Sequence, residues 1–215
     1  MITDAHRQQV LLAQETQKPL QIKTYSFLPN AQVYVDRLLK VFLDELGVSF
    51  LYDQFSFCIR ELAVNAKKAN TKRIYFKRRG LDPSDPDDYR LGMESFKRET
   101  LDQQDLYRKL LKEEELYIKI EFLRWQESCS VAVRNNVEVF PEELRRVRDK
   151  ISKSHRYGNL EEALGEVLDE SEGAGLGIVV LILMLKKIGF TGDFFQFYTV
   201  GGETVARIIL PMTLD

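Results

Sequence analysis

The sequence predicts an α+β fold, a two-layer sandwich in which an antiparallel or mixed sheet is covered on one face by helices. Segments that alternate apolar and polar residues, as half-buried strands do, occur near both ends and in the middle of the chain. Longer segments with apolar residues at helical spacing lie between them. With 215 residues, 44% of them hydrophobic, the chain is long enough for one large domain or two small ones.

The N-terminal half predicts one strand followed by two helices. Residues 1–18 are polar and weakly helical, and they are interpreted as an arm before a single domain of residues 19–215. Pro19 to Phe27 alternates as a strand does, and Ala31 to Leu46 is an amphipathic helix. A second helix is predicted from Tyr52 to Ala69.

The middle of the chain predicts a short strand and then an irregular insertion. Arg73 to Lys77, with the sequence RIYFK, has the composition of a short strand. Residues 78–115 combine an acidic, turn-forming loop with a charged helical pattern from Met93 to Glu115. This segment is interpreted as an insertion between two strands.

The C-terminal half predicts the rest of the sheet. Leu116 to Leu123 and Cys129 to Val133 alternate strongly, which favours a hairpin. The later elements are a basic helix, a second helical segment, an apolar helix and two closing strands, at Pro141 to Lys153, Leu160 to Leu168, Leu176 to Lys187, Asp193 to Val200 and Thr204 to Leu210.

Charge and composition exclude some classes of partner. The 31 basic and 33 acidic residues give a formal charge of −2, so nucleic acid is not an expected partner. The longest apolar run, at 176–185, is about half of the roughly 20 residues that a membrane span requires, so no span is predicted. Only two cysteines occur and no leader pattern is present, which predicts a cytoplasmic location.

A carboxylate and a carboxamide in the second helix form the first candidate site. Glu61 and Asn65 lie four residues apart, so both point to one side of the helix, where they could hold a hydrated metal ion. Taken alone, the pair is more readily explained as two exposed surface residues.

Three glycines before the apolar helix form the second candidate site. Gly173, Gly175 and Gly177 let the backbone approach a phosphate, and the helix start offers free N–H groups and a positive dipole end. An isolated glycine cluster is usually a flexible connection to a core helix, but together with Glu61 and Asn65 it favours a nucleotide pocket. No strand directly precedes the glycines, which argues against a Rossmann site, and the Gly-Lys-Ser/Thr ending of a P-loop is missing.

The order of these motifs resembles the ATP-binding domain of histidine kinases and their relatives, which include DNA gyrase, a class of heat-shock chaperones, the mismatch-repair ATPases and the anti-sigma-factor serine kinases. The resemblance covers roughly residues 19–213 and implies a Bergerat-type ATP-binding fold with a lid segment at about 140–172. The matching positions are Glu61, Asn65 and Lys68 in the N box, Gly173, Gly175 and Gly177 in the second glycine box, and Gly202, Thr204 and Ile209 to Pro211 in the closing strand.

The resemblance implies a role for each matching residue. Asn65 would ligate Mg²⁺, and Lys68 would lie near the phosphates of ATP. Glu61 would position or deprotonate the attacking group, and the backbone amides at 173–177 would hold the phosphates. The other implied nucleotide-binding positions are Asn135, Leu176 and Thr204.

The chain departs from this family at the adenine-binding box, an Asp-x-Gly-x-Gly turn. Asn135 stands where the aspartate would be, and Val137 and Val139 stand where the two glycines would be. The Asn135 oxygen can accept from an adenine amino group, but its NH₂ then needs another partner. Valine also resists the positive φ that glycine permits, so the turn must take another path. Weaker adenine recognition is expected, because a charge-assisted hydrogen bond is worth on the order of 1.5–3 kcal/mol.

The resemblance leaves three functions open. The compact N-terminal half is similar to the anti-sigma-factor serine kinases, which implies a Mg-ATP-dependent protein kinase with Glu61 as the catalytic carboxylate. Its partner would be a second copy, a sigma-like factor, an antagonist protein or a response regulator, with the insertion as a partner-specific surface. A degenerate member acting as a scaffold is motivated by Asn135, Val137 and Val139. A stand-alone domain that phosphorylates histidine in a separate protein is the third.

The remaining candidate residues have simple explanations. His6 and His155 are interpreted as surface histidines, and neither lies in a phosphoacceptor pattern. Cys58 and Cys129 lack the spacing of a zinc site, so no structural metal is assigned. The basic run from Arg145 to Arg156 is most often a solvated helix face, and its functional alternative is a lid that carries cations towards phosphates.

Overall fold

An antiparallel sheet of five strands, packed against helices, organises the computed structural model, which describes residues 2–126, 128–154, 156–157, 162, 176–189 and 194–211. The fold is α+β with two layers, as the sequence predicts. The helices are α1 (Asp4–Glu15), α2 (Pro29–Glu45), a 3₁₀ turn (Ser49–Leu51), α3 (Tyr52–Arg79), α4 (Pro86–Asp102), α5 (Gln104–Glu113), α6 (Pro141–Ser154) and α7 (Leu176–Lys187). The strands are β1 (Leu20–Thr24), β2 (Ile118–Trp125), β3 (Ser128–Asn135), β4 (Phe195–Val200) and β5 (Glu203–Pro211).

The strand order is β1-β2-β3-β5-β4, and every neighbouring pair is antiparallel. The register places Ile120 opposite both Ile22 and Val133, and Val133 opposite Ala206. Because side chains alternate along a strand, these residues form one row on the sheet face that meets the helices. All four belong to the main apolar core or pack against it.

Helices α2 and α3 cover this face of the sheet. In α2 the predicted apolar residues Val35, Leu38, Leu39 and Phe42 are all buried, and the Phe42 ring lies 5.4 Å from that of Phe122 on β2. Burying one such side chain stabilises the fold by about 1.5–3 kcal/mol. Pro29 begins α2 at a position that needs no N–H donor, and the helix ends before Gly47, which has a φ of 73°.

Helix α3 is longer than the sequence indicates, and the predicted strand from Arg73 to Lys77 is wrong. The helix continues without a break over 28 residues and ends at Gly80, in the left-handed conformation. Ile74, Tyr75 and Phe76 are each at most 1% exposed, in a second apolar cluster. Aromatic and β-branched residues are common in strands, but here they are helical because the second cluster buries them.

The second apolar cluster joins α3 to the segment predicted as an insertion. Helices α4 and α5 lie within residues 78–115, but they follow α3 and not a strand. Tyr89 and Phe96 of α4 pack against Phe76 and Tyr75, with ring centroids 5.8 and 5.3 Å apart, and Phe140 completes the aromatic group. The segment therefore has its own core.

The N-terminal residues form a packed helix and not a loose arm. Helix α1 contributes Val10, which is 1% exposed, to the main core. His6 is buried as well, which corrects its interpretation as a surface residue. Its ring nitrogen accepts from the Thr3 N–H at 3.1 Å and so caps the helix start.

None of the helices in the described part of the chain combines the length and the hydropathy that a bilayer crossing requires. His155 lies outside the described residues, and so does the predicted helix at 160–168 apart from Glu162.

The contact between α4 and α3 predicts a stability effect. A Cβ added at Gly92 would lie 2.6 Å from the buried Phe76 ring. We expect Gly92→Ala to lower the free energy of unfolding by about 1–2 kcal/mol, since overpacking costs about 1–3 kcal/mol and the better helix propensity of alanine offsets up to about 1 kcal/mol. Urea denaturation measures the change. Glu94→Ala, at an exposed position of α4, is the control and should be near neutral; equal stability of the two variants would contradict this packing.

Candidate functional site

A cavity of about 540 Å³ lies where α3, α6 and the central strands meet. Helix α3 supplies one stripe of its wall, with Leu62, Asn65, Ala69 and Lys72 at intervals of three or four residues. That spacing places them along one side of a helix. The other described residues on the wall are Ala66, Lys68, Tyr89, Val133, Asn135, Val139, Glu143, Arg145, Arg146, Val147, Asp149, Lys150, Lys153, Ile178, Phe197, Thr204 and Ala206.

The cavity brings together four residues that the sequence nominates separately. Asn65 and Lys68 come from α3, Asn135 from the end of β3, and Thr204 from the start of β5. Asn135 and Thr204 are paired across the β3–β5 ladder, which explains how residues so distant in sequence become neighbours. Glu61 is half-buried one turn before Asn65, and it is not among the described residues that line the cavity.

The glycine motif is described only at its end. Leu176 and Gly177 lie in the first turn of α7, and Ile178 in the same turn reaches the cavity wall. Gly173 and Gly175 lie outside the described residues. The start of α7 is therefore close to the cavity.

The walls of the cavity differ in chemistry. The sheet and α7 contribute apolar residues, among them Val133, Phe197, Ala206 and Ile178. Helix α6 contributes most of the charge, and the described lining contains six cationic side chains and two carboxylates, although the whole chain carries a formal charge of −2. Four cations of the basic run, Arg145, Arg146, Lys150 and Lys153, thus line a cavity.

A relay of two amides connects the cavity to the backbone just before β2. The side-chain NH₂ of Asn70 donates to the Tyr117 carbonyl at 3.0 Å, and the NH₂ of Asn135 donates to Oδ1 of Asn70 at 3.1 Å. Asn70 is 0% exposed and Asn135 is 4% exposed. The NH₂ of Asn135 therefore has a partner, and its carbonyl oxygen remains as an acceptor.

The two valines of this turn adopt ordinary backbone geometry. Neither Val137 nor Val139 has a positive φ, so the turn follows another path than a glycine turn would, as expected. The Thr204 hydroxyl donates to the Val137 carbonyl at 2.7 Å, which ties β5 to the turn. Val139 itself reaches the cavity wall.

A buried ion pair spans the cavity from α3 to α6. Lys72, whose side chain is 7% exposed, contacts the Glu143 carboxylate and lies 3.3 Å from the Tyr89 hydroxyl of α4. Burial works against the charge of Lys72, but Glu143 and Tyr89 outweigh it and hold the pKa of Lys72 above its ordinary value. With Tyr89, the pair links three segments, since α3, α4 and α6 each supply one of the three side chains.

Sequence reasoning missed Asn70, Lys72, Tyr89 and Glu143. A signal was available for Lys72, which lies seven residues, about two turns, after Asn65 on the same side of the helix. The predicted helix end at Ala69 concealed it. Asn70 lies five residues after Asn65, on a different side, so spacing did not indicate it. Tyr89 and Glu143 carried no such signal, because their place depends on how α4 and α6 pack against α3.

Comparison with known proteins gives one informative match. No protein-family model matches the chain, and no solved structure matches it. A protein of Treponema pallidum (strain Nichols) is 42% identical over 201 residues, which are 94% of this chain. The chain spans only 39% of that relative, whose printed description is "Uncharacterized protein".

The ion pair predicts an unequal effect of single and double substitution. Glu143→Gln should lower the free energy of unfolding by about 2–4 kcal/mol, because it leaves the buried Lys72 charge without its carboxylate. The double variant Lys72→Met with Glu143→Leu should recover most of this loss, since no buried charge remains. Thermal and urea unfolding measure both.

A matched control lies one residue away on α6. Glu142 pairs with the exposed Arg145, so Glu142→Gln should change stability by at most about 0.5 kcal/mol. If Glu143→Gln changed the free energy of unfolding as little as Glu142→Gln, the Lys72–Glu143 pair would not stabilise the fold.

Proposed function

We propose that this chain is an ATP-binding signalling domain of the histidine-kinase-like ATPase type, and that Mg-ATP occupies the cavity. One observation carries the proposal. Asn65, Lys68, Asn135 and Thr204, which the resemblance nominates as parts of one nucleotide site, line the same cavity in the structure. The antiparallel two-layer fold also supports this proposal.

The chemistry of the walls agrees with a nucleotide. A base fits the apolar side formed by β3, β4 and β5, where Asn135 offers a hydrogen-bond acceptor. Phosphates fit beside Lys68 and the basic helix α6, because cationic side chains stabilise their charge. A cavity of about 540 Å³ lies within the range of small-ligand sites.

Asn65 suits a magnesium ion. Its carboxamide supplies a hard oxygen ligand on the cavity wall. Mg²⁺ commonly keeps several waters and binds through one or two protein oxygens together with substrate phosphates. A single amide ligand on α3 is therefore sufficient for the role, in which the ion would neutralise phosphate charge.

Two outcomes for bound ATP remain within the proposal. The first is transfer of phosphate to a protein, such as an antagonist of a sigma-like factor or a response regulator, with Glu61 as the carboxylate that activates the acceptor. The second is a non-catalytic regulatory scaffold. The absence of Glu61 from the described cavity wall favours the second, because a general base must come within hydrogen-bond reach of the proton that it removes.

Nucleotide binding is tested by calorimetric titration with Mg²⁺ and a non-hydrolysable ATP analogue. Wild-type protein should bind with micromolar Kd, and Asn65→Ala should weaken binding at least about tenfold, since loss of a group that supports a metal costs about 10–100-fold. Asn30→Ala, at an exposed position of α2, is the control and should bind as the wild type does. No heat at millimolar nucleotide would contradict the proposal.

Catalysis is tested separately with Glu61→Gln. If the chain transfers or hydrolyses phosphate, this variant should keep the wild-type Kd and lose about 10²–10⁴-fold in turnover, because general-base catalysis contributes that much. Phosphate release and labelling of candidate acceptors measure turnover, with Glu94→Gln as the exposed control. Binding without turnover in the wild-type protein would identify the scaffold instead.

A further inference from the structure

We propose that Asn70 is a positioning residue that fixes Asn135 as a hydrogen-bond acceptor, so that the cavity selects a base with an amino group, as adenine carries at its 6 position. This inference rests on the proposed function and specifies its ligand. It also explains why an asparagine replaces the aspartate of the resembled family: in this chain the amide is required.

The relay begins at the backbone carbonyl of Tyr117. Tyr117 immediately precedes β2, and its own N–H donates to Oδ1 of Asn136 at 2.7 Å. The NH₂ of Asn136 donates in turn to the Glu115 carbonyl at 2.9 Å. These bonds hold the chain on the N-terminal side of Tyr117, and on its other side Ile118 is paired with both β1 and β3, so the Tyr117 carbonyl presents a well-placed acceptor to Asn70.

That acceptor determines the orientation of both amides. Asn70 must turn its NH₂ to the Tyr117 carbonyl, since the opposite orientation would place two oxygens together. Its oxygen then faces Asn135, which must present its own NH₂. The carbonyl oxygen of Asn135 is left for the cavity, where Asn135 forms part of the wall. The Tyr117 carbonyl therefore sets the orientation of the Asn135 amide, through Asn70.

A fixed acceptor discriminates between bases. The 6-amino group of adenine can donate to the Asn135 oxygen, whereas a 6-oxo base such as hypoxanthine or guanine would place an oxygen against it. A buried polar group left without a partner costs about 1–3 kcal/mol. We therefore expect ATP to bind about 10- to 100-fold more tightly than ITP, whose base carries a 6-oxo group in place of the 6-amino group and a proton on the adjacent N1.

The same relay makes a carboxylate unfavourable at position 135. An ionised carboxylate has no proton to donate to Oδ1 of Asn70, so Asn135→Asp would bring two acceptors together in a buried site. When the introduced carboxyl is protonated, its O–H can replace the NH₂ and the relay is complete. Burial and the facing Oδ1 of Asn70 should raise its pKa, and the carboxylates of Glu143 and Asp149 act in the same direction. The cations of the wall lower it, namely Lys68, Lys72, Arg145, Arg146, Lys150 and Lys153. We expect the rise to prevail, because the Asn70 oxygen is in direct contact.

The test measures binding of ATP and ITP to wild-type protein, Asn70→Ala and Asn135→Asp at pH 5 and pH 8. In Asn70→Ala the Asn135 amide is free to turn, so the preference for ATP should fall to within a few fold. Asn135→Asp should approach wild-type ATP affinity at pH 5 and lose at least about tenfold at pH 8. Each Kd is compared with that of the wild type at the same pH, because the variant and the wild type share the charged residues that line the cavity.

A second readout needs no nucleotide. The raised pKa of the introduced carboxyl means that its contribution to stability is present at low pH and is lost as pH rises from about 4 through the folded-state value. The Tm of Asn135→Asp, relative to wild type, should therefore fall between pH 5 and pH 8. Asn30→Asp, at an exposed position, should show no such dependence.

The outcomes separate the inference from the proposed function. Equal or tighter ATP binding by Asn135→Asp at pH 8, or an unchanged preference for ATP in Asn70→Ala, would overturn the inference and leave nucleotide binding intact. Absence of any nucleotide binding by the wild type would overturn the proposed function and base selection together. A relative Tm that does not depend on pH would overturn the amide orientation itself.

Discussion

The unbroken course of α3 is the constraint on which the rest of the structure depends. Its 28 residues extend about 42 Å at the rise of an α-helix, from the main core into the second aromatic cluster. One stripe of this helix forms a wall of the cavity, with Asn65 near its middle and Lys72 further along. If the helix ended at Ala69, Lys72 would not be held beside Glu143, and Asn70 would not be held beside the Tyr117 carbonyl.

The second cluster stabilises the extension of α3 beyond the sheet. Tyr75 and Phe76 are buried by α4 and by Phe140, and the Phe76 ring approaches so closely that position 92 tolerates only glycine without rearrangement. Because α4 also supplies Tyr89 to the cavity, the packing of the insertion and the shape of the site are linked.

Local sequence signals identified most of the fold and part of the site. The apolar spacing of α2, the alternation of β2 and β3, and the closing hairpin at Gly201 and Gly202 are determined by nearby residues, and the structure confirms them. The continuation of α3 through Arg73 to Lys77 depends on residues of α4 and on Phe140, so a local pattern could not reveal it. Asn135 was found through its motif, but its partner Asn70 needed the three-dimensional contact.

Under the proposed function, the two ends of the cavity would recognise a nucleotide by different physics. The phosphate end relies on charge, which salt screens with a Debye length of about 8 Å at physiological ionic strength. The base end relies on a neutral acceptor in a buried relay, whose strength comes from geometry and exclusion of water and is little affected by salt. An aspartate at position 135 would add a negative charge to a site that binds an anion. The amide avoids this repulsion and obtains its orientation from the Tyr117 carbonyl instead of from charge. Affinity and base selectivity would then be separable properties of the site, the first governed by α6 and Lys68 and the second by Asn70.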